Sequence, residues 1–172
     1  MSTLAFNDLL AYTEWERQKW FALFRKHPQA LSLPAGPHGD GRFEKVGAVI
    51  HHVFSAERRY VDRLANRPIT DTSQLPSGNL DALIEQGQHS RQHIREFIAT
   101  FPASEWDTPF ELTIMNSSLM VTPRKIITHV LLHEIRHWAQ IATLLRLNGI
   151  KDDFHDFLFS PVMNSSTSDR QI

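Results

Sequence analysis

The sequence contains no cysteine among its 172 residues, which excludes disulfide bonds, thiolate zinc sites and cysteine nucleophiles. No apolar run approaches the roughly 20 residues that a transmembrane helix needs, and the first residues lack the pattern of a signal peptide. Eighteen basic and 19 acidic residues give a net charge of −1, so bulk charge does not indicate binding to nucleic acid. These absences predict a cytoplasmic protein that binds neither membranes nor nucleic acids.

Amphipathic helices account for most of what the sequence does contain. Apolar residues recur at helical spacing over four segments, at about 4–26, 43–65, 79–101 and 123–147. Asn79 is suited to cap the third helix, and Thr122 followed by Pro123 is suited to begin the fourth. The fourth helix is predicted to end at Asn148 and Gly149, residues that often terminate helices.

The hydrophobic period changes between the third and fourth helices. Segments 110–114 and 118–122 alternate or carry β-branched residues around a polar turn, which predicts a short β-hairpin. The fold class is therefore predicted to be all-α, a four-helix bundle with a short β-hairpin before the last helix. We expect one domain over residues 1–172, in which the polar residues 163–172 form a flexible tail.

Histidines at helical spacing are the strongest chemical signal in the chain. His133 and His137 are four residues apart, so they lie on one helix face, where both can bind one metal ion. A third ligand can come from His51 or His52 in the second helix, but only from one of them, because neighbouring side chains diverge by about 100°. The periodicity does not decide between the two. His129, one turn before His133, is better placed to support the site than to bind the ion directly.

The residues from His133 to His137 also match the HExxH motif of zinc proteases. In that alternative, Glu134 would act as the general base. No third metal ligand follows at a spacing typical of these proteases, so this interpretation is less favoured.

Several other residues have more than one possible role. Glu57 falls on the apolar side of the second helix, where it is either paired in the interior or close to the metal, and Tyr60 could face the same cavity. Trp15, Trp20 and Trp138 could line a pocket, although core packing is the more common role of tryptophan. No catalytic acid or base is assigned from these patterns.

Two segments of the chain resemble the DinB/YfiT-like superfamily. Residues 49–60, which contain His51-His52 and Glu57, are similar to its second-helix motif. Residues 122–149 are similar to its fourth-helix motif, although Trp138-Ala139 replaces the Arg-Gly pair that is common in the family. The resemblance extends over residues 4–158.

This resemblance implies a metal site of three histidines, His52 from the second helix and His133 and His137 from the fourth. Three imidazoles suit a divalent metal ion, with Zn²⁺ or Ni²⁺ preferred. The implied function is a metal-dependent protein that is a small-molecule enzyme, either a thiol-dependent S-transferase or a hydrolase, and that uses a low-molecular-weight thiol. The alternative is a non-enzymatic, stress-induced metal-binding or interaction protein, and in either case the protein could be a homodimer.

Overall fold

The computed structural model describes residues 5–36, 41–114 and 116–163, so all but the first residue of the predicted flexible tail, 163–172, lies outside the described residues. The described residues form four α-helices, with a hairpin between the third and the fourth, which confirms the predicted fold class. In chain order the elements are α1 (Phe6–Lys26), α2 (Val46–Leu64), α3 (Leu80–Thr100), β1 (Phe110–Ile114), β2 (Ser117–Val121) and α4 (Pro123–Leu147). None of the described helices combines the length and the low polarity of a membrane-spanning segment.

The helix starts show which local predictions are correct. The side chain of Asn79 accepts a hydrogen bond from the Ala82 N–H at 3.1 Å, and that of Thr122 accepts one from the Lys125 N–H at 3.2 Å. Both residues are therefore N-caps, as predicted. Helix α2 begins at Val46, about three residues later than the pattern indicates, because the preceding residue is still extended and forms a β-bridge with Pro34.

The bundle core contains two apolar clusters at different heights along the helices. One cluster includes Trp20, Phe54 and Trp138, and the other includes Ile94 and Leu131. Helix α2 packs against both α3 and α4, so α2 and α4 are neighbours along one side of the core. Side chains that project from α2 and α4 into the space between these two helices can therefore contact one another.

A buried network of charges lies between the two apolar clusters, with one residue from each helix. Arg17 of α1 donates to Glu57 of α2 at 2.8 Å and also to Glu134 of α4. Arg91 of α3 lies 3.3 Å from Glu57 and 2.5 Å from Glu134. Each of these four side chains is at most 3% exposed. Two positive and two negative charges balance one another, which makes their burial tolerable.

Candidate metal centre

The structure brings His52, His133 and His137 together between α2 and α4. The Nε2 atom of His133 lies 3.2 Å from Nε2 of His52 and 3.0 Å from Nε2 of His137. Metal–nitrogen bonds of about 2.0–2.1 Å, at bond angles between about 90° and 110°, separate two ligand nitrogens by about 2.8–3.4 Å. The spacing of the three rings is therefore suitable for holding one divalent ion, and within the described part of the chain no further His, Asp or Glu belongs to this group.

A hydrogen bond to Gln140 orients one of these rings. The side-chain oxygen Oε1 of Gln140 lies 2.6 Å from Nδ1 of His137. Because an amide oxygen can only accept, Nδ1 carries the proton and the Nε2 lone pair points towards the other two rings. Metal-binding histidines commonly have such a partner on their second nitrogen.

The electrostatic environment keeps His133 uncharged. Burial, followed in order of effect by the neighbouring His137, His52, His129 and Arg136, lowers the pKa of His133 to about 3. A neutral imidazole is the form that binds a metal. At neutral pH the central ring of the cluster is therefore in the state that metal binding requires.

The two remaining histidines near the cluster do not contribute a nitrogen to it. Nε2 of His51 lies 2.8 Å from the carbonyl oxygen of Thr72, so His51 faces the segment after α2. The ring of His129 packs at a centroid distance of 5.4 Å against Tyr60, and 5.6 Å from the ring of His133. Of the alternatives left open by the sequence, the structure thus places His52 with the α4 pair.

Glu134 does not occupy the position that the HExxH interpretation requires. One of its oxygens accepts from Arg17 and, at 3.0 Å, from the indole nitrogen of Trp138, and the other accepts from Arg17 and Arg91. Burial alone would raise the pKa of Glu134, but Arg17 and Arg91 lower it below its usual value. A carboxylate engaged by two guanidinium groups in the core is not a general base for the histidine cluster, so this interpretation is wrong. Glu57 belongs to the same network, which decides between its two predicted roles.

The histidine cluster is accessible from one side. His52 and His133 are half-buried and His137 is buried, and the ring of Phe43 packs 4.8 Å from His52 and 6.1 Å from His137. A cavity of about 520 Å³ adjoins His52, and its walls include Phe43 and Arg59. A small molecule could therefore reach the cluster along α2.

Sequence reasoning missed three residues around this site. Gln140 follows His137 by three positions, which is a contact spacing on a helix, so its hydrogen bond could have been predicted. Arg59 lies on α2 seven residues, or about two turns, after His52, so its place on the same helix face could also have been predicted. Phe43 had no such signal, because its position depends on how the loop before α2 folds against the cluster.

Two comparisons with known proteins bear on identity. No curated protein matches the chain. A sequence model of the DinB family matches residues 1–169, which includes both motifs on which the resemblance was based. The chain therefore belongs to the DinB family.

Proposed function

We propose that this protein is a metal-dependent enzyme for a small-molecule substrate, either a thiol-dependent S-transferase or a hydrolase. One observation carries the proposal: three Nε2 atoms converge beside an accessible cavity, with no fourth His, Asp or Glu in their group among the described residues. Three protein ligands and an open position are typical of catalytic sites, whereas structural sites are filled by four protein ligands. Zn²⁺ or Ni²⁺ would suit the all-nitrogen ligands, and such an ion supplies a Lewis acid for water or a thiol.

The surrounding residues have separable roles in this proposal. Gln140 holds the tautomer of His137, and Phe43 covers two of the three rings and limits access of water. Arg59 is half-buried in the wall of the same cavity. A guanidinium group there is suited to bind the carboxylate or phosphate of a low-molecular-weight thiol.

Metal analysis of purified protein tests the first part of the proposal. We expect about one divalent ion per chain in the parent protein and its loss in His52→Ala and His133→Ala. His89→Ala is the matched control, because His89 is an exposed histidine on α3. Equal metal content in all four proteins would contradict a site at these histidines.

Cobalt substitution distinguishes an open catalytic site from a closed, non-enzymatic one. Adding glutathione to the Co²⁺ form should change the visible absorption spectrum if the thiol can reach the ion. Arg59→Ala should weaken glutathione binding about tenfold, the effect of one lost charge-assisted hydrogen bond, but leave binding of uncharged ethanethiol unchanged. A spectrum that changes with neither thiol would contradict the S-transferase proposal and favour a structural metal. Turnover assays with electrophilic acceptors and with ester substrates then separate transferase from hydrolase.

A further inference from the structure

A second cavity, of about 540 Å³, lies between α1, α4 and the segment that follows α4. Trp138, Ala142 and Arg146 line it from α4, whereas His133 and His137 project from α4 towards α2. The cavity is therefore on a different face of α4 from the histidine cluster. Its properties can be tested independently of metal binding.

The segment after α4 is fixed across this cavity by several contacts with α1. The hydroxyl of Tyr12 donates to the carbonyl oxygen of His155 at 2.5 Å, and the ring of His155 stacks on Trp20 at a centroid distance of 4.2 Å. Lys19 pairs with Asp153 at 3.2 Å. These contacts define a wall opposite α4 and leave the space between them open.

Glu16 lies in this cavity without a positive partner. The residue is only 4% exposed, and its Oε2 atom makes no hydrogen bond. The nearest basic atom, Nδ1 of His155, is 3.7 Å from Oε1, and burial followed by the charge of Lys19 lowers the pKa of His155, which keeps that ring neutral. Burial, followed by the charge of Glu134, raises the pKa of Glu16 to about 8. The nearby indole N–H of Trp20 opposes this rise only in part, since it forms no hydrogen bond of good geometry.

Charges around the cavity are mainly negative. Besides Glu16, the lining includes three aspartates: Asp152, Asp153 and Asp156. Arg146 pairs with the first at 3.1 Å and Lys19 with the second. Glu16 and Asp156 form no ion pair with an Arg or Lys among the described residues, so carboxyl groups outnumber positively charged side chains around the cavity.

We propose that this cavity binds a small aliphatic amine in its protonated form, with the ammonium group at Glu16. The ammonium group would displace the proton that Glu16 holds below about pH 8, donate to Oε2 and supply the positive charge that the ionised carboxylate lacks, while the alkyl part would pack against Ala142 and the edges of Trp20 and Trp138. A metal ion is disfavoured, because among the described residues only the histidine cluster brings three ligand atoms together. An anionic ligand would increase the repulsion that Glu16 already experiences.

Calorimetric titration with n-butylammonium tests this assignment. We expect binding to the parent protein, at least tenfold weaker binding to Glu16→Gln, and no detectable binding of n-butanol, which has a similar shape but no charge. Glu96→Gln is the matched control, because it removes a carboxylate from an exposed position on α3 and should bind like the parent. Binding of butylammonium that is unaffected by Glu16→Gln, or equal binding of butanol, would overturn the proposal.

A second variant keeps the test valid if Glu16→Gln does not fold. Ala139 is exposed on α4 and lines the cavity, so Ala139→Phe should narrow the cavity without disturbing the core. We expect this variant to bind n-butylammonium at least tenfold more weakly while its metal content stays that of the parent. Unchanged amine binding in this variant, or no amine binding by the folded parent, would also overturn the proposal.

Discussion

At the scale of single residues, the hydrogen bond from His137 to Gln140 makes a direct prediction about metal affinity. Gln140→Leu removes the acceptor that holds the Nδ1 proton, so the ring is free to rotate or to change tautomer. We expect the affinity for Zn²⁺ to fall roughly 10- to 100-fold, measured by competition with a chromophoric chelator. Gln92→Leu is the control, because Gln92 is exposed on α3 and bonds only to Glu96 among the described residues. An unaltered affinity of Gln140→Leu would show that this contact does not support the site.

Glu16 makes a prediction about the pH dependence of stability. Its pKa rises from 4.5 to about 8 on folding, so the folded state binds a proton more tightly than the unfolded chain. The resulting stabilisation is complete below pH 4.5 and is lost as the pH rises towards 8. Glu16→Gln mimics the protonated form. We expect the difference in free energy of unfolding between Glu16→Gln and the parent to shift in favour of the variant by roughly 2–4 kcal/mol from about pH 5 to about pH 8.5. Urea unfolding of both proteins at the two pH values measures this, and a difference that does not change with pH contradicts it.

Residue-level predictions from the sequence were reliable where they depended on one helix. His133 and His137 share a helix, so their spacing alone places them on one face. The choice between His51 and His52 depends on the rotation of α2 relative to α4, which no local pattern encodes. Glu134 was misinterpreted in the HExxH alternative for the same reason, since the guanidinium groups that engage it come from other helices.

At the scale of secondary structure elements, Gly47 allows the backbone at Ser77 to approach the start of α2 closely. A Cβ atom at Gly47 would lie 2.0 Å from the backbone oxygen of Ser77. Gly47→Ala gains about 1 kcal/mol in helix propensity, but overpacking against a backbone atom costs typically 1–3 kcal/mol or more. We expect a net loss of stability and a lower Tm in thermal unfolding. Gly78→Ala, where nothing lies within 4 Å of the added atom, should leave Tm nearly unchanged, and a similar result for both variants would contradict this interpretation.

Element boundaries were predictable where a side chain or a turn fixes them locally. Asn79 and Thr122 cap their helices as predicted, and the hairpin pairs Phe110 with Val121. The start of α2 was not predictable, because the backbone before Val46 pairs with a segment more than ten residues away in the sequence. That pairing holds the chain extended where apolar periodicity alone would continue the helix.

At the scale of the whole molecule, the buried charge network makes folding depend on all four helices at once. Arg17→Met leaves two buried carboxylates with Arg91 as their one positively charged partner among the described residues. We expect a loss of about 3–5 kcal/mol, as for other buried ion pairs that lose one member, measured by urea unfolding. Arg124→Met is the control, because its pair with Asp107 is exposed and should contribute little. Equal effects of the two substitutions would show that the network is not a source of stability.

The amphipathic pattern was enough to predict the four-helix architecture, because each helix has an apolar face of its own. The charge network was not predictable, since Glu57 could be placed in the interior but its partners Arg17 and Arg91 on two other helices could not be named. The homodimer and the cytoplasmic location remain predictions. Analytical ultracentrifugation of the metal-loaded protein tests the first of them.

Adjacent residues of α4 belong to two different groups of side chains, the histidine cluster and the buried charge network. His133 contributes to the histidine cluster, and Glu134, about 100° further around the helix axis, accepts hydrogen bonds from guanidinium groups of α1 and α3. A rotation of α4 that moved the imidazoles would break the hydrogen bonds between Glu134 and these guanidinium groups. The arrangement of the two α4 imidazoles is therefore constrained by the core, and we infer that a bound ion would have to match this arrangement. Selectivity among divalent metals would then originate in a salt-bridge network that never touches them.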